Sequence, residues 1–86
     1  MMLWMANIEP GTSDEVLRAF VGKYAHEVEC VMVRRVDGDG SRPAALLSFV
    51  GGDWASVPRL ALRLNGMYWK GRTLSCSAEP ITLRNS

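Results

Sequence analysis

Cysteine is scarce in this 86-residue chain, with only Cys30 and Cys76. Two thiols, not spaced as Cys-x-x-Cys, are too few for a disulfide framework or a zinc site, so both read as small apolar residues in reduced form. Histidine is scarcer still: His26 stands alone, without a second ligand for a metal or a nucleophile to activate, and reads as a surface residue. No metal and no cofactor is expected. No apolar run approaches the ~20 residues that span a bilayer, and the N-terminal MMLWMANI lacks the positive segment and cleavage site of a secretory signal. The expected setting is therefore intracellular, cytoplasmic or nuclear, with no membrane partner. Charge of one sign is not in excess either. Ten Lys and Arg against nine Asp and Glu leave +1, so no whole-protein field steers the chain toward nucleic acid, and any such binding must come from local arrangement. Low-complexity tracts and internal repeats are missing, and a hydrophobic fraction of 48% is too high for a disordered chain.

What is present is organised around one stretch, Arg42 to Phe49, read as RPAALLSF. It is entered through Asp37-Gly38-Asp39-Gly40-Ser41, which is turn chemistry, and left through Gly51-Gly52-Asp53. A strand sends alternate residues to opposite faces. Pro43, Ala45, Leu47 and Phe49 make the better core face, and Arg42, Ala44, Leu46 and Ser48 look outward. Before this strand, Leu3 to Ile8 alternates as a strand with Leu3 and Met5 inward and Trp4 and Ala6 outward. Glu9-Pro10-Gly11 stops it. Thr12 with Glu15 has capping-box spacing, and Val16, Leu17, Phe20, Val21 and Tyr24 form the apolar stripe of a helix ending near Tyr24 or Ala25. Val28 to Val36 is a β-branched strand, with Val31 and Val33 expected inward and Met32 and Arg34 outward.

The second half continues in the same way. Val57, Leu60, Ala61 and Leu64 predict a helix from about Ser56 to Leu64, with Pro58 in its first turn and Asp53, Trp54 and Ala55 in the preceding loop. Trp54 is expected to staple that loop to the helix. Asn65-Gly66 closes the helix through the left-handed conformation both residues tolerate. Met67 to Gly71 predicts a short hairpin, and Arg72 to Ala78 a last strand with Leu74 and Cys76 inward. Residues 1–80 are expected to form one domain, with 81–86 as a short C-terminal tail. The order is strand, helix, strand, strand, helix, strand. Two helices cannot cover both faces of the sheet, so the expected fold class is α+β: a ferredoxin-like split β-α-β, a four-stranded antiparallel sheet with two helices on one face and the other face open.

At these residues the chain resembles an RNA recognition motif, from Leu3 to about Ala78. Leu3-Trp4-Met5-Ala6-Asn7-Ile8 matches the family's first-strand hexamer, and Arg42 to Phe49 falls on its third-strand octamer. Leu64-Asn65-Gly66, followed by Gly71-Arg72 and Leu74, matches the run from the second helix into the fourth strand. The resemblance implies the strand order fourth, first, third, second. Cys30 and Cys76 would then lie near opposite edges, about three strand spacings or ~14 Å apart, beyond the ~7 Å limit for a bridge.

For function, the resemblance implies single-stranded RNA stacked on aromatic platforms of the open sheet. Trp4 fills the hexamer's aromatic position, while Ala44 and Leu46 stand where the octamer's two aromatics belong. Arg42 matches the octamer's phosphate-binding cation, Arg34 should project beside it, Met32 adds apolar surface, and Asn7 matches the hexamer Asn, which in the family bonds backbone at the strand end. The expected RNA-binding set is thus Trp4, Asn7, Met32, Arg34, Arg42, Ala44 and Leu46, for weak or specialised binding. The same patch also suits a protein partner or a homodimer. One protein-binding subclass carries Arg-any-Phe after the Gly and clamps a partner's Trp against an acidic first helix. Met67-Tyr68-Trp69 occupies that loop here, with Trp69 standing for the Phe and Met67 replacing the Arg, so Trp4, Leu46, Met67, Tyr68 and Trp69 form the alternative, protein-binding set. An enzyme is not expected. The only candidate phosphate loop, Glu9 to Ser13, has one Gly and no cation, and no paired carboxylates or activated nucleophile are present.

Overall fold

The computed structural model describes residues 2–36 and 43–79. The Asp37 to Ser41 turn, Arg42 and the tail 81–86 lie outside the described residues. The elements are β1 (Met2–Ala6), α1 (Asp14–Gly22), β2 (Glu29–Val36), β3 (Ala44–Val50), α2 (Ser56–Leu64), β4 (Tyr68–Trp69), β5 (Arg72–Thr73) and β6 (Ser75–Glu79). Four of the strands form an antiparallel sheet in the order β2-β3-β1-β6, and β4 and β5 form a separate hairpin. Counting β6 as the fourth long strand, this is the fold class and strand order expected from the sequence. Cys30 and Cys76, both free thiols, sit on the opposite edge strands β2 and β6.

One face of the sheet is buried under the two helices. Leu3 and Met5 of β1 and Ala45 and Leu47 of β3 are fully buried, together with Leu17 and Val21 of α1 and Leu64 of α2. Alternation therefore held on the two central strands, where each side chain is either under a helix or on the open side. On β2 it did not hold throughout. The pairing with β3 shifts between Cys30 and Met32, a β-bulge that leaves Val31 as the extra residue. Val31 is 47% exposed, against the expectation that it would face the core, while Val33 packs on the core as expected. Cys30 packs on the same side, so without the extra residue Met32 would follow it under the sheet. The bulge is what delivers Met32 and Arg34 to the open face.

Two helix boundaries also differ from the sequence reading. Ser13, not Thr12, caps α1, its Oγ accepting the Val16 N–H at 3.1 Å. Thr12 is buried and its hydroxyl donates to Glu9 Oε1, which also accepts the Gly11 N–H, so the Glu9 to Thr12 turn uses the group that capping needed. The helix ends at Gly22, with Tyr24 and Ala25 both donating to the Val21 carbonyl beyond it. Val16 is 43% exposed and lies at the rim of the stripe rather than within it. The second helix spans the expected residues. Its close uses Gly66 at φ +85°, whereas Asn65 is extended (φ −67°, ψ 127°) and its Oδ1 accepts the Cys76 N–H.

Trp54 does not staple the loop; it is 84% exposed. A polar junction holds that loop instead. Ser56 Oγ accepts the Asp53 N–H and donates to Glu27 Oε1 at 2.7 Å, Asp53 Oδ1 accepts the Ala55 N–H, and Arg59 pairs with Glu27. These bonds tie the segment between α1 and β2 to the first turn of α2.

Candidate nucleic-acid interface

Register fixes the open face row by row. In the middle row Arg34 of β2 stands opposite Leu46 of β3, Leu46 opposite Trp4 of β1, and Trp4 opposite Ser77 of β6. One row toward the start of β1 runs Met32, Ser48, Met2 and Glu79. The row at its other end runs Val36, Ala44, Ala6 and Ser75. Neighbouring strands are about 4.8 Å apart and same-face rows about 6.7 Å apart along a strand, so Trp4 sits near the centre of a small, mostly apolar plate.

Trp4, Leu46, Met32 and Arg34 are therefore brought together on one surface. Arg34 is exposed and Met32 is 56% exposed, while Trp4 and Leu46 are partly buried by their neighbours. Ala44 is on the same face but only 5% exposed, so it offers a ligand little beyond a flat floor. Asn7 lies at the strand end rather than on the plate. Its φ of +63° ends β1, its Nδ2 donates to the Thr73 carbonyl and its Oδ1 accepts from Arg72 Nη1, so both ends of its amide are committed to the chain. Arg42 is outside the described residues. Next to Arg34, Arg35 points to the opposite side, where its Nη1 donates to the Thr12 carbonyl and pairs with Asp14 at 3.0 Å. Adjacent arginines on one strand thus have different tasks, one tying β2 to α1 and the other left on the open face.

The Met67 to Trp69 loop is divided. Met67 and Trp69 pack on the core, with the Trp69 ring stacked on Phe20 of α1 at a centroid distance of 4.0 Å. Tyr68 between them is 73% exposed. Lys70 and Gly71 both have positive φ, the two-residue turn that closes a tight hairpin, and Lys70 Nζ lies 5.6 Å from the Trp69 ring. The Trp69 ring is thus already packed against the first helix by its stacking on Phe20. Of the three hairpin residues in the alternative set, only Tyr68 is therefore exposed, an outcome set by the hairpin's register rather than by local pattern.

Among the described residues no group of three or more His, Cys, Asp and Glu is placed to hold a metal ion, and no helix is long and apolar enough to cross a membrane. No protein-family model matches the sequence, and no curated protein matches it. Among solved structures the chain is similar to the N-terminal three RNA binding domains of the yeast splicing factor Prp24, with a TM-score of 0.72 and 23% identity. The match covers 94% of this chain and 34% of that one, so the chain spans about a third of its length. The fold is that of an RNA recognition motif.

Proposed function

We propose that this chain is a single-stranded RNA-binding module that uses the open face of its sheet. The observation that carries the reading is the middle row: an accessible Trp4 ring with apolar Leu46 on one side and exposed Arg34 beyond it. A base stacks on the ring, Leu46 contacts its edge, and Arg34 meets a phosphate. One ring supports only part of the family's stacking. Each stacked base contributes ~1 to 3 kcal/mol, so affinity on this face is modest and gains from further contacts or from tandem modules. An RNA ligand is consistent with a place in the cytoplasm or nucleus.

The test is an NMR titration of the labelled chain with a short degenerate RNA at two salt concentrations. Amide shifts should concentrate on β1, β2 and β3 and weaken as salt rises. Trp4→Ala should lower affinity by ~1 to 3 kcal/mol without unfolding the domain. Normal RNA binding by that variant would remove the stacking mechanism.

A second reading is favoured by one observation: Arg34 and Glu79 are the only charges in the three rows, and most of the other side chains are apolar. Such a plate also suits a protein surface or a second copy of the chain. Sedimentation should then show a dimer that Trp4→Glu or Leu46→Glu dissociates; a wild-type chain that stays monomeric at high concentration removes the homodimer.

A further inference from the structure

The β4–β5 hairpin continues the open face beyond the row of Ala6 and Ser75. Leu74 is buried, so the flanking Thr73 and Ser75 lie on the other side of the chain, the side that carries Ser77 and faces away from the helices. The Leu74 N–H donates to the Met67 carbonyl and Tyr68 pairs with Thr73. Tyr68 therefore stands beside Thr73 on the open side, while Met67 and Trp69 turn under toward the core.

Between Trp4 and Tyr68 lies a shallow depression of about 350 Å³ lined by Ala6, Asn7, Thr73 and Ser75. Its lining combines Asn7, whose amide is held by Thr73 and Arg72, with two exposed hydroxyl residues, Thr73 and Ser75. Charge is graded along this path. Glu79 sits at the far end of β6, and Lys70 and Arg72 sit at the hairpin. Lys70 lies over the Trp69 ring and Arg72 donates to Asn7 Oδ1, so their effect on a strand is the hairpin's net positive charge: a polyanion leaving Trp4 is repelled from the Glu79 end and drawn toward the hairpin end. Trp54, also highly exposed, is in the loop before α2 and away from these rows.

We propose that Tyr68 is a second stacking platform for the same RNA strand, and that the depression at Ala6, Asn7, Thr73 and Ser75 holds the nucleotide between the Trp4 base and the Tyr68 base. This rests on the RNA reading of the open face and extends it. A ring on the hairpin supplies the stacking that Ala44 and Leu46 do not, and the RNA runs from the sheet centre toward the hairpin, away from Glu79.

The experiment compares degenerate RNAs of four and eight nucleotides on the wild-type chain and on Tyr68→Ala, Tyr68→Phe and Trp4→Ala. Because Tyr68 is largely solvent-exposed, its replacement leaves the fold intact. The eight-nucleotide RNA should lose roughly 5- to 150-fold in affinity on Tyr68→Ala and keep it on Tyr68→Phe, while the four-nucleotide RNA, held at Trp4, is far less affected. Trp4→Ala should weaken both. If Trp4→Ala weakens both RNAs and Tyr68→Ala weakens neither, the hairpin platform is overturned and the sheet reading stands. An equal loss on both lengths that Phe does not restore marks a structural effect and also overturns it. A wild-type chain that binds neither RNA overturns the RNA reading and this inference with it.

Discussion

At the residue scale, position on the fold separates side chains that sequence alone makes look alike. Trp4, Trp54 and Trp69 are respectively a ring on the open face, a ring in solvent and a ring stacked on Phe20. Only the first stands among the other side chains of the open face. Gly52 shows the same dependence in the backbone. Its φ is +67°, and a Cβ there would meet Ser56 Oγ at 2.5 Å and Val28 Cγ1 at 2.7 Å. Gly52→Ala should therefore destabilise the domain by about 1 to 3 kcal/mol, seen as a lower urea midpoint at unchanged slope. An unchanged midpoint would mean that the loop relaxes around the new methyl group.

At the scale of elements, three devices place the site. The bulge at Val31 sets the phase of β2, the Lys70-Gly71 turn sets the register of the hairpin, and the polar junction at Ser56 sets the start of α2. The junction carries a pH signature. The Ser56 hydroxyl and then Arg59 hold the Glu27 carboxyl below its ordinary value, and the Ala55 N–H and then Ser56 do the same for Asp53. A carboxylate depressed in the folded state contributes stability that is present above its unfolded pKa and lost as pH falls through the folded one. Stability should hold at neutral pH and fall on acidification below the ordinary carboxylate range. Glu27→Gln should flatten that fall in urea unfolding series at stepped pH; an unaltered acid profile would assign it to other carboxylates.

At the scale of the whole molecule, the sheet has one dry face and one wet face, and this asymmetry governs both stability and function. The edges report on it through the thiols. Burial pushes the Cys76 thiol up to about 12 and raises Cys30 as well, so little thiolate exists at neutral pH in the native state. Alkylation of Cys76 should be slow in buffer and accelerate with urea as the fold opens, followed by mass spectrometry. Fast labelling in buffer would show that the β6 edge opens by itself. Cys30, on the other edge and only partly buried, should be modified first.

Much of this was determined by local sequence. Alternation along Leu3 to Ala6 and Pro43 to Phe49 named the buried faces of the central strands, and the Val57 to Leu64 stripe and Pro58 delimited α2, because these signals depend only on how a strand or helix presents its own side chains. Trp4 and Leu46 on one face followed from the same period. Tertiary structure alone decided the rest. An extra residue in β2 is invisible until β2 is paired with β3, since a bulge is a mismatch between two strands rather than a property of either. Thr12 lost the cap to Ser13 because Glu9 took its hydroxyl, Trp54 was left in solvent because Asp53, Ser56 and Glu27 already held its loop, and Tyr68 reached the open side through its pairing with Thr73. Each of these outcomes is a competition or a pairing between segments that the local pattern of one segment does not contain.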